Sequence, residues 1–137
     1  MRCEVEVRYE MRATLAPTLE AIEEFVAEFR GCVGGRAGSG YRFSAELLLR
    51  EALTNAVVHG CCGDSSKRVR CVLRLRNGLL TIAVRDPGAG FDWRAKRAPG
   101  EPGLSASGRG LEILKHYALR VRFNRKGNLV TMIQRFS

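Results

Sequence analysis

Glu51-Ala52-Leu53-Thr54-Asn55-Ala56-Val57-Val58-His59-Gly60 decides how the rest of the chain reads. Glu51, Asn55 and His59 recur every four residues, so a helix places all three on one face, while leucine, alanine and valine fill much of the remainder. Upstream, Leu47-Leu48-Leu49-Arg50 extends the pattern, with Ser44 as the expected N-cap and Gly60 as the stop. A helix this apolar is expected to be buried, and burying a carboxylate beside an amide is costly without a partner. The face is therefore an internal polar network or a ligand site. Two glycine-rich segments, Asp86-Pro87-Gly88-Ala89-Gly90 and Ser107-Gly108-Arg109-Gly110-Leu111, favour a ligand for Glu51 and Asn55. For His59, at the helix end, the internal network is the expectation.

Outward from this helix the chain divides by period. Cys3, Val5, Val7, Tyr9 and Met11 alternate with charged residues, which reads as a half-buried strand. Pro17 suits a first helical turn, and Leu19, Ile22, Phe25, Val26 and Phe29 follow at helical spacing until Gly31. A glycine-rich connector runs from Gly31 to Gly40. Arg68 to Arg76 and Leu79 to Asp86 alternate around Asn77-Gly78, a strong hairpin signal, and the return strand ends with Asp86 on its inward side. Phe91 to Gly108 has little periodicity. A short helix is expected over Leu111–Tyr117, then strands over Leu119–Asn124 and Leu129–Phe136 around an Arg125-Lys126-Gly127-Asn128 turn. This order predicts one α+β domain over residues 1–137. Its expected form is a two-layer sandwich: a mainly antiparallel, mixed sheet of about five strands with three helices on one face.

Composition bounds the function classes. The 137 residues hold no apolar run of the ~20 residues needed to cross a bilayer. The N-terminus alternates from its first residues and has no signal-peptide core, so a cytoplasmic protein is expected. Cys3, Cys32, Cys61, Cys62 and Cys71 make no C-x-x-C pair, and His59 and His116 complete no zinc spacing, so reduced, structural thiols are expected. The net charge of +9 arises from 23 Lys and Arg, 19 of them Arg, against 14 acids. That balance fits an acidic protein surface, a polyphosphate or a nucleic acid.

The chemistry of the three segments narrows the choice. Asp86, at a strand end, can accept from an exocyclic amine, and Gly88 and Gly90 let a flat ring approach the backbone; a plain Asp-Pro-Gly turn is the other reading. Gly108-Arg109-Gly110 opens a helix, where free N–H groups and the dipole suit an anion. The preceding loop brings Arg94, Lys96 and Arg97, as a triphosphate lid would need, although a mobile surface loop reads the same way. The Asn55 amide oxygen can ligate Mg²⁺, and Glu51 can polarise a hydroxyl for attack on a γ-phosphate. There is no P-loop, no G-x-G-x-x-G (Trp93 and Ile113 hold the third positions) and no H-R-D kinase loop.

Glu51 to Gly60 resembles the N box of the GHKL ATPases, Asp86-Pro87-Gly88-Ala89-Gly90-Phe91 their G1 box, and Gly108-Arg109-Gly110-Leu111 their G2 box. Each box alone is common; three in this order and spacing carry the resemblance. Within that superfamily the chain is most similar to the small bacterial anti-sigma-factor serine/threonine kinases. The resemblance implies that Asn55 holds Mg²⁺ on ATP and that Glu51 is the base activating an acceptor serine. It implies that Asp86 binds the adenine amine, with Gly88 and Gly90 making room, and that Gly108, Arg109 and Gly110 support the phosphates. Relatives often carry Thr after the glycine that opens the last strand; Asn128 stands there and is expected to serve the adenine site.

The implied function is an ATP- and Mg²⁺-dependent protein-serine kinase that phosphorylates an anti-anti-sigma partner, sequesters a sigma factor and forms a homodimer. The alternative is an ATP-binding module that switches partner binding without phosphotransfer. Strand alternation also puts Arg68, Arg70, Arg74, Arg76, Arg85, Arg120 and Arg122 on the sheet face away from the helices, with Glu4, Glu6 and Glu10 as expected cross-strand partners. That face has almost no aromatic residues to stack on bases, so direct nucleic-acid binding is not expected.

Overall fold

Alternation builds the sheet, as the period-2 pattern requires. The structure, a computed structural model, describes residues 8–33, 39–90 and 110–136. In β1 (Arg8–Leu15), Met11 and Leu15 are buried while Glu10, Arg12 and Thr14 are exposed. β2 (Val69–Arg76) buries Val69, Cys71, Leu73 and Leu75, and β3 (Leu79–Arg85) buries Leu80, Ile82 and Val84. Asn77 and Gly78 between them take φ of 51° and 75°, the two left-handed residues of a type I′ hairpin turn. β4 (Arg120–Phe123) and β5 (Leu129–Arg135) complete a five-stranded sheet of order β1-β2-β3-β5-β4, every neighbouring pair antiparallel. The strand predicted over Cys3, Val5 and Val7 lies outside the described residues.

α1 (Leu19–Val33) is capped by Thr18, whose Oγ1 accepts from the Ala21 N–H at 3.1 Å. Pro17 stands just before this cap rather than inside the first turn. Ile22, Phe25, Val26 and Phe29 are buried, whereas Leu19, at the first helical position, is exposed. The helix also runs through Gly31, because packing of its apolar face outweighs the ~1 kcal/mol that a glycine costs inside a helix.

α2 (Ser39–Asn55) starts before Ser44, whose hydroxyl donates back to the Gly40 carbonyl at 3.1 Å and caps nothing. After Asn55 the helix does not stop but widens into a π-helical turn over Ala56–Cys61, ended by Cys62 and Gly63 at positive φ. α3 (Gly110–Tyr117) follows. α2 lies between α1 and α3.

Leu48, Leu49 and Leu53 of α2 meet Leu73, Leu80, Ile82 and Met132 of the sheet in one core. Phe136, just past β5, stacks obliquely on Phe29 (ring centroids 5.9 Å apart) and donates its N–H to the Gly78 carbonyl at 2.7 Å. Gln134 is the polar exception among the inward residues of β5; its Nε2 donates to the Tyr41 carbonyl at 3.0 Å and ties the start of α2 to the sheet. Glu46 is buried between the helices and pairs with Arg30, with Arg50 3.8 Å away.

The sheet face away from the helices is arginine-rich, with two changes from the expected set. Arg68 leaves it, because its guanidinium donates to the carbonyls of Ser65 (2.7 Å) and Lys67 (2.9 Å) ahead of β2. Arg12 and Arg135 join it. Glu10 pairs with Arg12 and with Arg74 across the β1–β2 register (3.4 Å to the latter); Glu4 and Glu6 lie outside the described residues.

Candidate functional site

The π-helical turn, the end of β3 and the β4–β5 turn converge on one pocket. Its apolar walls come from Ala52, Ala56, Val84, Leu114, Phe123 and Val130, and its polar groups from Asn55, His59, Asp86 and Asn128. The pocket is a narrow slot between helix and sheet, with a cavity volume of about 30 Å³, and it opens to solvent. An apolar slot with a few convergent polar groups suits a flat heterocycle.

Asn55 is the feature that internal packing does not account for. The residue is buried, and among the described residues neither Oδ1 nor Nδ2 has a hydrogen-bond partner. Such an amide costs about 1–3 kcal/mol if nothing completes it. Its oxygen is the hard donor that Mg²⁺ takes, alongside retained waters, so the chemistry of this group fits the metal. Glu51, half-buried, lies one helical turn earlier. His59 does not join an internal network: its side chain is exposed at the pocket wall, because the π-turn rotates this position relative to an ideal α-helix.

Asp86 sits one residue past β3, and its N–H still donates to the Asn128 carbonyl at 2.9 Å, extending the β3–β5 ladder. Its Oδ1 accepts from the Gly88 N–H at 2.8 Å, closing an Asx-type turn. Half of the ambiguity in Asp-Pro-Gly thus dissolves: the segment is a turn, and the turn aims a carboxylate at the pocket. Burial raises the Asp86 pKa, against the opposing pull of the Gly88 N–H and of Lys126, Arg85 and His59.

Gly60 and Gly88 are held to glycine by the protein itself. A Cβ on Gly60 would overlap the Asp86 carboxyl, and one on Gly88 would lie 2.8 Å from the Gly60 carbonyl oxygen. Gly90, at φ +87°, faces the Lys126 carbonyl, where a Cβ has no room. The backbone of the π-turn therefore rests directly on the Asp86 turn.

Asn128 braces this arrangement. Its Nδ2 donates to the Asp86 carbonyl at 3.1 Å, and its Oδ1 accepts from Asn124 Nδ2 at 2.7 Å. Asn124 was not singled out from the sequence. Its Oδ1 accepts from the N–H groups of Gly127, Asn128 and Leu129 at 2.8, 3.0 and 3.2 Å, which shapes the turn carrying Asn128. The Asn-x-x-Gly-Asn pattern was the available signal, since asparagine favours such local bonding. Gly110 begins α3; Gly108, Arg109 and the cations Arg94, Lys96 and Arg97 lie outside the described residues.

Cys32, Cys61, Cys62 and Cys71 are free thiols. Burial pushes the Cys71 thiol up to about 12, while Cys61 is raised by burial and by the Asp86 carboxylate. Among the described residues no helix is long and apolar enough to cross a membrane.

A two-layer fold with this pocket between its central helix and a glycine-bearing strand end is that of a known ATPase class. Residues 11–134 match the histidine kinase-like ATPase domain, and the chain belongs to that family. Among individual proteins it is similar to an anti-sigma F factor of Shouchella clausii (strain KSM-K16), 30% identical over 81 residues, 56% of each chain. It is also similar to the anti-sigma F factor of Geobacillus stearothermophilus, 32% identical over 76 residues, covering 53% of this chain and 52% of that one. The chain thus spans about half the length of the curated relatives it matches.

Proposed function

We propose that this protein is an ATP- and Mg²⁺-dependent anti-sigma kinase. It would act in the cytoplasm as a homodimer, transferring phosphate to a serine of an anti-anti-sigma partner and sequestering a sigma factor when that partner is absent. Membership of the histidine kinase-like ATPase family and likeness to anti-sigma F factors support the class. The single observation that carries the nucleotide part is the buried, unpartnered Asn55 amide in a pocket shared with Asp86.

In this reading Asp86, braced by Asn128, accepts from the adenine amine, while Ala52, Ala56, Val84 and Leu114 exclude water from the ring. The Asn55 oxygen holds the metal, and Gly108, Arg109 and Gly110 support the phosphates. Mg²⁺ held there would lessen the negative charge that the acceptor oxygen must approach. Glu51, about 5–6 Å from Asn55 at the Cβ level as i, i+4 neighbours are, takes the proton from the acceptor serine hydroxyl.

The test is incubation with γ-labelled ATP, Mg²⁺ and a serine-bearing candidate partner. Label is expected on that serine with the native chain. With Glu51→Ala it should fall by about 10²–10⁴-fold, the range for a lost general base, while calorimetry still finds nucleotide bound. Transfer at the native rate by Glu51→Ala removes Glu51 as the base. Nucleotide binding with no transfer to any candidate favours the switching module instead.

A further inference from the structure

The open face of the sheet has a shape that its sequence did not disclose. Because β5 pairs with β3 and β4 lies beyond it, six outward residues of these two adjacent strands form a floor without arginine: Thr81 and Ala83 opposite Ile133 and Thr131, with Leu79 at one end and Leu129 at the other. Leu79 is exposed and the other five are half-buried. Arg70, Arg74 and Arg76 of β2 stand along one side of this floor, and Arg120 and Arg122 of β4 along the other. The antiparallel register puts Arg85 at one end, opposite Leu129, and Arg135 at the other, opposite Leu79. The floor is therefore bordered by guanidinium groups on all four sides. Glu10 pairs with Arg74 from β1, while Arg70, Arg120, Arg122 and Arg135 have no ion pair among the described residues.

We propose that this trench is a docking site for one acidic amphipathic helix of a partner protein. The two walls stand three strand spacings apart, about 14 Å, which admits one helix of ~10–12 Å diameter. β3 and β5 each run seven residues, about 20 Å, or roughly 13 helical residues. An apolar strip on the helix would cover the floor and complete a third layer on the sheet, and carboxylates on its flanks would meet both walls. Arginine at the rim of an apolar centre is the usual anatomy of a protein interface. The footprint is well below the ~800 Å² per partner of a standard interface, so the contact is of peptide-in-groove size.

Other occupants fit less of the surface. A second copy docking by the same face would set arginine against arginine across a two-fold axis, in a chain of net charge +9. A nucleic acid would satisfy the walls, yet the described outward residues include no aromatic ring to stack on a base, and phosphates leave the apolar floor uncovered. The inference does not rest on the nucleotide reading.

The test uses the full chain and a labelled helical peptide of about fourteen residues, with leucine and alanine on one face and glutamate on both flanks. Fluorescence anisotropy should show saturable binding that weakens as salt is raised. Arg70→Glu on one wall and Arg122→Glu on the other should each weaken it about tenfold or more. Far-UV circular dichroism and the thermal unfolding midpoint should stay unchanged in both variants, which verifies folding without reference to nucleotide. Equal affinity across native chain and both variants overturns the proposal, as does equal binding of a scrambled peptide of the same composition. Displacement of the peptide by an oligothymidylate or by phosphatidylglycerol vesicles, or self-association that both variants abolish, overturns it in favour of that occupant.

Discussion

Asp86 and Asn55 each place a group where an isolated domain would do better without it. The pKa of Asp86 is raised by burial above the ~3.9 of an unfolded aspartate. Between those two values the folded state binds more protons than the unfolded one, so the ligand-free chain loses stability as pH rises through that window. Adenine recognition needs the carboxylate, so ATP affinity should run the other way, falling as pH drops through the raised value. Calorimetric titration across pH should place that fall above the usual aspartate range, and Asp86→Asn should weaken ATP strongly at neutral pH and remove the acid limb. Asn55→Leu should be neutral or stabilising, by up to about 1–3 kcal/mol, because it deletes a buried amide that no described residue satisfies. Urea denaturation with and without Mg²⁺ and ATP should find that stability retained and the ligand-induced stabilisation lost. Both residues were legible in the sequence, since a polar side chain on an apolar helix, or at the inward end of an apolar strand, breaks the local pattern that surrounds it.

At the scale of elements, the contact between the π-turn and the Asp86 turn explains glycines whose roles the sequence left open. Gly60 read as a helix stop, yet it lies within the π-turn, and the carboxyl it touches is the one that faces the pocket. Gly60→Ala should therefore displace Asp86. A loss of at least tenfold in ATP affinity is expected, with overall stability lowered by about 1–3 kcal/mol as for other overpacked sites. Calorimetry and thermal unfolding check the two effects separately, and unchanged affinity would mean that the Asp86 turn can retreat without penalty. Strand alternation, the Asn77-Gly78 turn and the apolar face of α1 were readable because each depends on neighbours a few residues away. The early start of α2, the passage of α1 through Gly31 and the π-turn were not. Tertiary packing decides those boundaries against weak local propensities.

At the scale of the whole molecule, an aromatic contact joins α1 to the residue that follows β5. Phe29 and Phe136 are both fully buried and stack on each other, so the first helix and the end of the sheet stand or fall together. Phe29→Ala should cost about 3–5 kcal/mol, measured as a shift in the urea midpoint without a change in slope. A loss under 1 kcal/mol would mean that the core closes over the vacated space. The pocket and the arginine-walled trench lie on opposite layers, which lets their ligands be tested independently.

By itself the sequence determined the periods, the hairpin turn, the two-layer class and the candidacy of Asn55 and Asp86, because all of these follow from side-chain direction along short stretches of chain. Only the tertiary structure decided that β5 lies between β3 and β4, that Gly60 touches Asp86, and that Asn124 and Asn128 brace it. Those facts depend on segments far apart in the chain meeting in one register, and no local pattern of hydrophobicity encodes which distant strand will supply the missing hydrogen bonds.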